Sequence, residues 1–180
     1  MAANTSTSKT RPKLYEAQDS VTRPANAIQY GIGDALSDNA TTATAAGVFT
    51  IPLGLPKGEC ALFTDFTLHK SDDDVTAADF DLLLFDTIPA FAGFEDNAAC
   101  AITDAEMLTC KGVVRFVTTA VGDSPGWTRH GTGNIQTVRK PIGFIPTANE
   151  TNLYGIIVLA ATYTPASGEI FTLTAKWRLP

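Results

Sequence analysis

The sequence predicts an all-β fold, an antiparallel two-sheet β-sandwich of the jelly-roll or a related Greek-key kind, preceded by an extended N-terminal arm. Three observations predict it. Short segments of alternating apolar and polar residues recur along the chain, Gly- and Pro-rich stretches separate them, and only one place carries a helix-start signal. No βαβ alternation points to a doubly wound sheet, and no repeat recurs at a solenoid or propeller period. The 180 residues are enough for one domain with a real core, with no need of disulfides or metal. The expected division is an arm over 1–24 and a sandwich over 25–180.

Residues 1–24 are polar, rich in Thr and Ser, and interrupted by Pro12 and Pro24. With no strand alternation and no helical period, this arm becomes ordered only where a neighbouring subunit or its own domain holds it. Residues 27–32 read as a first strand and 37–47 as a loop or edge strand. A short strand over 48–53 is stopped by Pro52 and Pro56. Residues 59–70 alternate, with Leu62, Thr64, Phe66 and Leu68 on one face and Phe63, Asp65, Thr67 and His69 on the other.

An acidic bridge leads to 80–85, apolar on both faces and therefore placed mid-sheet. Residues 87–102 read as an extended loop with scattered core anchors. Thr103 followed by Glu106 makes a capping box, after which Met107 and Leu108 can pack down before Gly112. A strand over 112–119 sends Val114 and Phe116 inward. Residues 120–134 hold four glycines and a proline and read as a loop. Residues 135–145 form one strand or two halves broken at Pro141, and 152–162, almost continuously apolar, form the central strand. Residues 163–168 turn, with Gly168 free to take positive φ. A last strand over 169–177 points Phe171, Leu173, Ala175 and Trp177 at the core, where Tyr163 and Trp177 anchor the sandwich.

The net charge of −6 is unevenly spread: +2 over 1–24, −1 over 25–58, −11 over 59–110 and +4 over 111–180. Copies of the chain could therefore present complementary faces to one another, which would guide register more than affinity; the plain alternative is that the charges only solvate loops. No basic patch with interleaved aromatics supports nucleic-acid binding, and no apolar run is long enough to cross a bilayer. Without the apolar stretch of a signal peptide, synthesis in the cytoplasm is expected. Cys60, Cys100 and Cys110 make no CxxC pair and read as small hydrophobes in a reducing compartment.

No constellation carries catalysis or a cofactor. Asp72, Asp73, Asp74 and Asp79 could attract a cation, yet they lack the spacing and the glycine of a calcium loop and fit a solvated hairpin tip better. His69 and His130 lack zinc-ligand spacing. Neither Cys110 nor Ser124 sits in an elbow that would set it against His130 as a nucleophile, and the Gly131–Thr132–Gly133 run lacks the lysine of a phosphate loop. What remains is contact chemistry. Arg11, Lys13, Tyr15 and Arg23 of the arm, and Trp127, Arg129 and His130 at a loop tip, are the interface candidates, against the alternative that Trp127 folds back on the sheet edge. Phe91 and Phe94 line either the core or a neighbour's pocket.

The stretches FTDFTLHKSDDDVTAADFDLLLFDTIP, ITDAEMLTCKGVVRF and LYGIIVLAATYTPASGEIFTLTAKW resemble the small virion proteins of tailed bacteriophages. The likeness spans roughly 59–178 and leaves the arm outside. It implies a place on or in the particle, often as a head decoration (cement) protein that bridges major capsid subunits; with the acidic sandwich and the arm it makes a homotrimer the expectation, with neither nucleic acid nor membrane as partner. It also implies that 81–85 and 155–161 are sheet core and that 164–169 is a tight hairpin turn; it supplies no catalytic residue. The alternatives are a tail, neck or baseplate protein, or a carbohydrate-binding module with Trp127 and Tyr163 as its platform.

Overall fold

The computed structural model describes residues 13–38, 47–55, 58–76, 78–89, 95–122, 124–145 and 152–179. Ten strands and one helical turn follow one another: β1 (Leu14–Thr22), β2 (Ala35–Leu36), β3 (Phe49–Pro52), β4 (Ala61–Lys70), β5 (Phe80–Phe85), α1 (Asp104–Met107), β6 (Cys110–Phe116), β7 (Thr128–His130), β8 (Gly133–Phe144), β9 (Asn152–Leu159) and β10 (Ile170–Arg178). One antiparallel sheet runs β1-β10-β4-β8-β7; the other runs β2-β9-β5-β6, with β3 also paired to β9. Setting aside the short β2 and β7, the orders 1-10-4-8 and 3-9-5-6 are those of a jelly roll, in which the first strand lies beside the last.

The core between the sheets is aromatic, built on Phe63, Phe66, Phe80, Phe116, Phe171 and Trp177. As the alternation requires, β10 buries Phe171, Leu173, Ala175 and Trp177, while β5 and β9 lie inside their sheet. In β9 a Cβ on Gly155 would sit 2.9 Å from Leu82 and 3.3 Å from Leu173, so the glycine is what lets the sheets approach there. Gly168 holds φ +66 in the turn before β10. A second cluster, Val48, Phe85, Tyr154 and Ile156, lies on the outer face of the β9 sheet, and Cys100 and Ile102 from the preceding long connection pack on it.

Four expectations need correction. Residues 14–22, read as arm without strand alternation, form a strand that docks on its own domain: they pair with β10 over nine register positions, from Leu14 against Arg178 to Thr22 against Ile170. Their alternation, Tyr15, Ala17, Asp19, Val21, is real but weak in amplitude because Ala and Asp occupy inward positions. Residues 27–32 are not a strand; only Tyr30 makes an isolated bridge, to Tyr163. In β4 the predicted phase fails halfway, because Thr64 bulges and lets Phe63 and Phe66 both face inward. The same irregularity on β8 accommodates Pro141, so β8 continues through it. Finally, α1 has its complete Thr103–Glu106 capping box but buries nothing, with Leu108 87% exposed. Residues 39–46, which include most of the 37–47 stretch, and residues 1–12 lie outside the described residues.

Candidate functional site

The most distinctive chemistry lies at the end of the sandwich where β1 and β4 finish and β10 begins. Arg23, Lys70 and Glu169 are each no more than 2% exposed there. Lys70, the last residue of β4, places Nζ 2.9 Å from Glu169 Oε1 and donates to the carbonyls of Asp72 (3.0 Å) and Asp74 (2.5 Å). Tyr163 OH donates to Glu169 Oε2 at 2.8 Å. Just beyond β1, Arg23 donates through Nε to Tyr30 OH (2.6 Å), through Nη1 to the carbonyls of Asn26 and Ala166, and through Nη2 to Asn26 Oδ1 and Asp96 Oδ2. Tyr30 OH donates to Asp96 in turn.

These two groups form a single clasp. The Arg23 N–H donates to the Glu169 carbonyl at 3.0 Å, and Tyr30 and Tyr163 exchange backbone bonds of 2.8 and 3.3 Å. It fastens segments far apart in sequence, around residues 23–30, 70–74, 96 and 163–169. Burial pushes the Glu169 carboxyl up while Lys70 pulls it down, with the net direction upward. Both tyrosine hydroxyls are raised, again mainly by burial. The arrangement offers locking rather than turnover. Its ionic and hydroxyl groups are engaged with one another, and removing one member of such a pair leaves a buried charge at a cost of about 3–5 kcal/mol.

Part of the acidic run is met by Lys70, whose Nζ stands 3.8 Å from the Asp72 carboxylate and donates to the Asp72 and Asp74 carbonyls. Asp73 pairs with Arg129 at 2.5 Å, and Asp74 Oδ1 accepts the Thr76 N–H, which lowers the Asp74 carboxyl. Among the described residues no group of three or more His, Cys, Asp or Glu side chains is arranged to hold a metal ion. Cys60, Cys100 and Cys110 are free and half-buried, and burial pushes the Cys100 thiol up to about 11.

The residues proposed for contacts separate. Arg23 is buried at the centre of the clasp; its guanidinium has left the surface because carbonyls and a carboxylate converge on it. Tyr15 stacks on Trp177 with centroids 5.9 Å apart, and Lys13 caps the Tyr15 ring at 4.9 Å. Trp127 folds back, half-buried against Phe80 and Phe116, its Nε1 donating to the Ala78 carbonyl at 2.8 Å. Arg129 and His130 stand exposed on β7, a strand inside the stretch expected to be loop. Tyr163 is buried, so it and Trp127 form no exposed platform. Arg11, Phe91 and Phe94 lie outside the described residues.

The opposed charge blocks are brought together within the molecule. Asp81 with Arg115, Asp65 with Arg139, and Glu16 with Lys176 are direct register partners across neighbouring strands and form ion pairs of 2.6, 3.6 and 3.2 Å. Lys111 meets Asp86 at 2.8 Å. The three register pairs, each with an exposed partner, contribute at most about 1 kcal/mol each, so they set register more than stability. Sequence reasoning missed the clasp, although a lysine ending one strand and a glutamate opening another were there to be noticed.

At the edge of the sandwich between β6 and β8, Arg115, Val117, Val121, Ser124, Val138 and Lys140 line an open groove of about 280 Å³. No helix among the described residues is long and apolar enough to cross a membrane. No family model matches the chain, and no curated protein does either.

Proposed function

We propose that this chain is a non-catalytic structural protein of a virion, a homotrimeric head decoration protein that bridges major capsid subunits. The observation that carries the reading is the anchoring of the arm. Residues 1–13, polar and carrying Lys9, Arg11 and Lys13, lead into a strand fastened to β10 over nine register positions, with the clasp immediately behind it. A neighbour that holds such a segment pulls on a whole sheet rather than on a loose tail. The sequence resemblance supports the same reading, as does a jelly roll whose buried polar groups serve rigidity. In this role Arg11 and Lys13 act from the arm, and Arg129 and His130 from the β7 tip.

The test is deletion of residues 1–12, which spares β1. Full-length protein is expected to be a trimer at micromolar concentration in low and high salt, to bind purified heads and to raise their resistance to heat. The truncated protein should stay folded and bind heads far more weakly. Equal binding by both forms, together with a particle map that lacks the protein on the head, would overturn the proposal; density in the tail, neck or baseplate would move it there.

A further inference from the structure

The β8 strand has an open edge. On its outer side β7 pairs with it only from Gly133 to Ile135, and among the described residues no strand follows β7 along the rest of β8. Since alternate residues of an antiparallel strand turn their N–H and C=O groups away from the partner, part of the backbone over 137–140 faces outward. The facing edge of β6 is treated differently. Gln136 reaches across, accepting the Val117 N–H at 3.0 Å and donating to the Val117 carbonyl at 3.3 Å, as a neighbouring strand would, and Ser124 donates to the Arg115 carbonyl. Side chains of this molecule thus engage the backbone of Arg115 and Val117 at the end of β6 and leave a slot along β8. Gln136 and β7 close one end of it; the irregularity at Lys140 and Pro141 closes the other.

The slot has a chemistry. Its inner wall is the valine groove, with Val138 buried at the floor and Val121 68% exposed at the rim. Arg115 is neutralised by two hydrogen bonds to Asp81, whereas Lys140 makes no ion pair among the described residues. A lysine on a sheet edge discourages indiscriminate strand pairing but favours an acidic strand. We infer that the slot over 137–140 takes, by strand addition, a short extended segment of a partner protein in which an aliphatic and an acidic side chain stand two positions apart, on one face. The aliphatic side chain enters the valine groove, and the acidic one, on the same face of the added strand, meets Lys140, which lines that groove with Val138. That the partner is a shell subunit rests on the function proposed above; the binding chemistry does not.

The test needs no particle. Isotope-labelled full-length protein is titrated with the blocked peptide acetyl-Val-Thr-Glu-Thr-Val-amide and, separately, with acetyl-Val-Thr-Lys-Thr-Val-amide. The acidic peptide is expected to shift the amides of Val117, Val121 and Val138 and to slow exchange over 137–140. Lys140→Glu should bind it about fivefold more weakly and reverse the preference between the peptides. Absence of shifts at millimolar peptide, shifts elsewhere, or equal response to both peptides would overturn the inference. So would loss of self-association in Lys140→Glu, which would make a second copy the occupant. If head binding fails while the acidic peptide binds as described, the slot stands and the decoration role falls.

Discussion

The two ends of β10 close the same sandwich by opposite means. At the Glu169 end a lysine, an arginine, two carboxylates and two tyrosines are sealed from water and matched to one another. At the Trp177 end the closure is aromatic: Phe63 packs on Phe66, Phe144 and Trp177, with centroids 5.4 to 6.1 Å apart, and Tyr15 stacks on the far face of the indole. Aromatic contacts weaken by degrees as shape is lost, since dispersion and burial scale with area. An ionic clasp behaves differently, because the cost of an unpaired charge falls due as soon as one partner leaves. The aromatic end should therefore tolerate drift that the polar end does not.

The largest expected effect follows at the polar end. Lys70→Met should lose about 3–5 kcal/mol of unfolding free energy in urea, and adding Glu169→Leu should recover most of it. A double variant as unstable as the single one would show that the hydrogen bonds around the pair, rather than its charges, carry the clasp. At the aromatic end Phe63→Leu should cost about 1 kcal/mol, because the neighbouring rings can shift to fill the space. Trp177→Phe should cost about as little: its Nε1 is buried without a hydrogen-bond partner among the described residues, and the variant removes that defect together with some area. Losses at the aromatic end matching those of Lys70→Met would erase the contrast.

Acidity sharpens it further. The Glu169 carboxyl is held above its ordinary 4.5, so the folded state binds that proton more tightly than the unfolded chain. Its contribution to stability is full below the ordinary value and declines as pH rises through the folded value. The difference in unfolding free energy between wild type and Glu169→Gln should accordingly fall with rising pH over that window; a flat difference would assign the proton elsewhere. Smallest of all should be Thr103→Ala. It removes the cap of a turn that buries nothing, so faster amide exchange over 104–108 is expected with the global midpoint nearly unchanged.

What the sequence made legible was whatever strong alternation or turn chemistry encodes. The inward row of β10, the interior place of β5 and β9, the Gly168 turn and the Thr103 capping box were readable because each is a local signal. Strand β1 was missed because Ala17 and Asp19 dilute its apolar face, and Asp19 points inward only because it accepts the Thr50 N–H of β3 at 2.7 Å. The phase of β4 was missed because a bulge changes the count without leaving a mark in residue types. The clasp was hidden for a deeper reason: Arg23 reads as a surface cation until the Ala166 carbonyl, 143 positions away, is brought to it. The groove belongs to the same class, since Val117 and Val138 become one wall only when two sheets meet.

The neighbourhood of β1 and β10 also governs when the molecule can be finished. As the ribosome delivers the chain, β1 and Arg23 emerge early; Arg23 can meet Asn26, Tyr30 and then Asp96, but its bonds to Ala166 and Glu169, and the pairing of β1 with β10, must wait for the end of the chain. Until then β4 lacks one of its two flanking strands, and Lys70 has no glutamate. Closing contacts so distant in sequence is slow, and the waiting chain exposes unpaired edges. The clasp thereby doubles as a completion check: a polypeptide cut short before residue 169 leaves Lys70 without its glutamate and β1 without its partner strand, and should be left open to proteolysis.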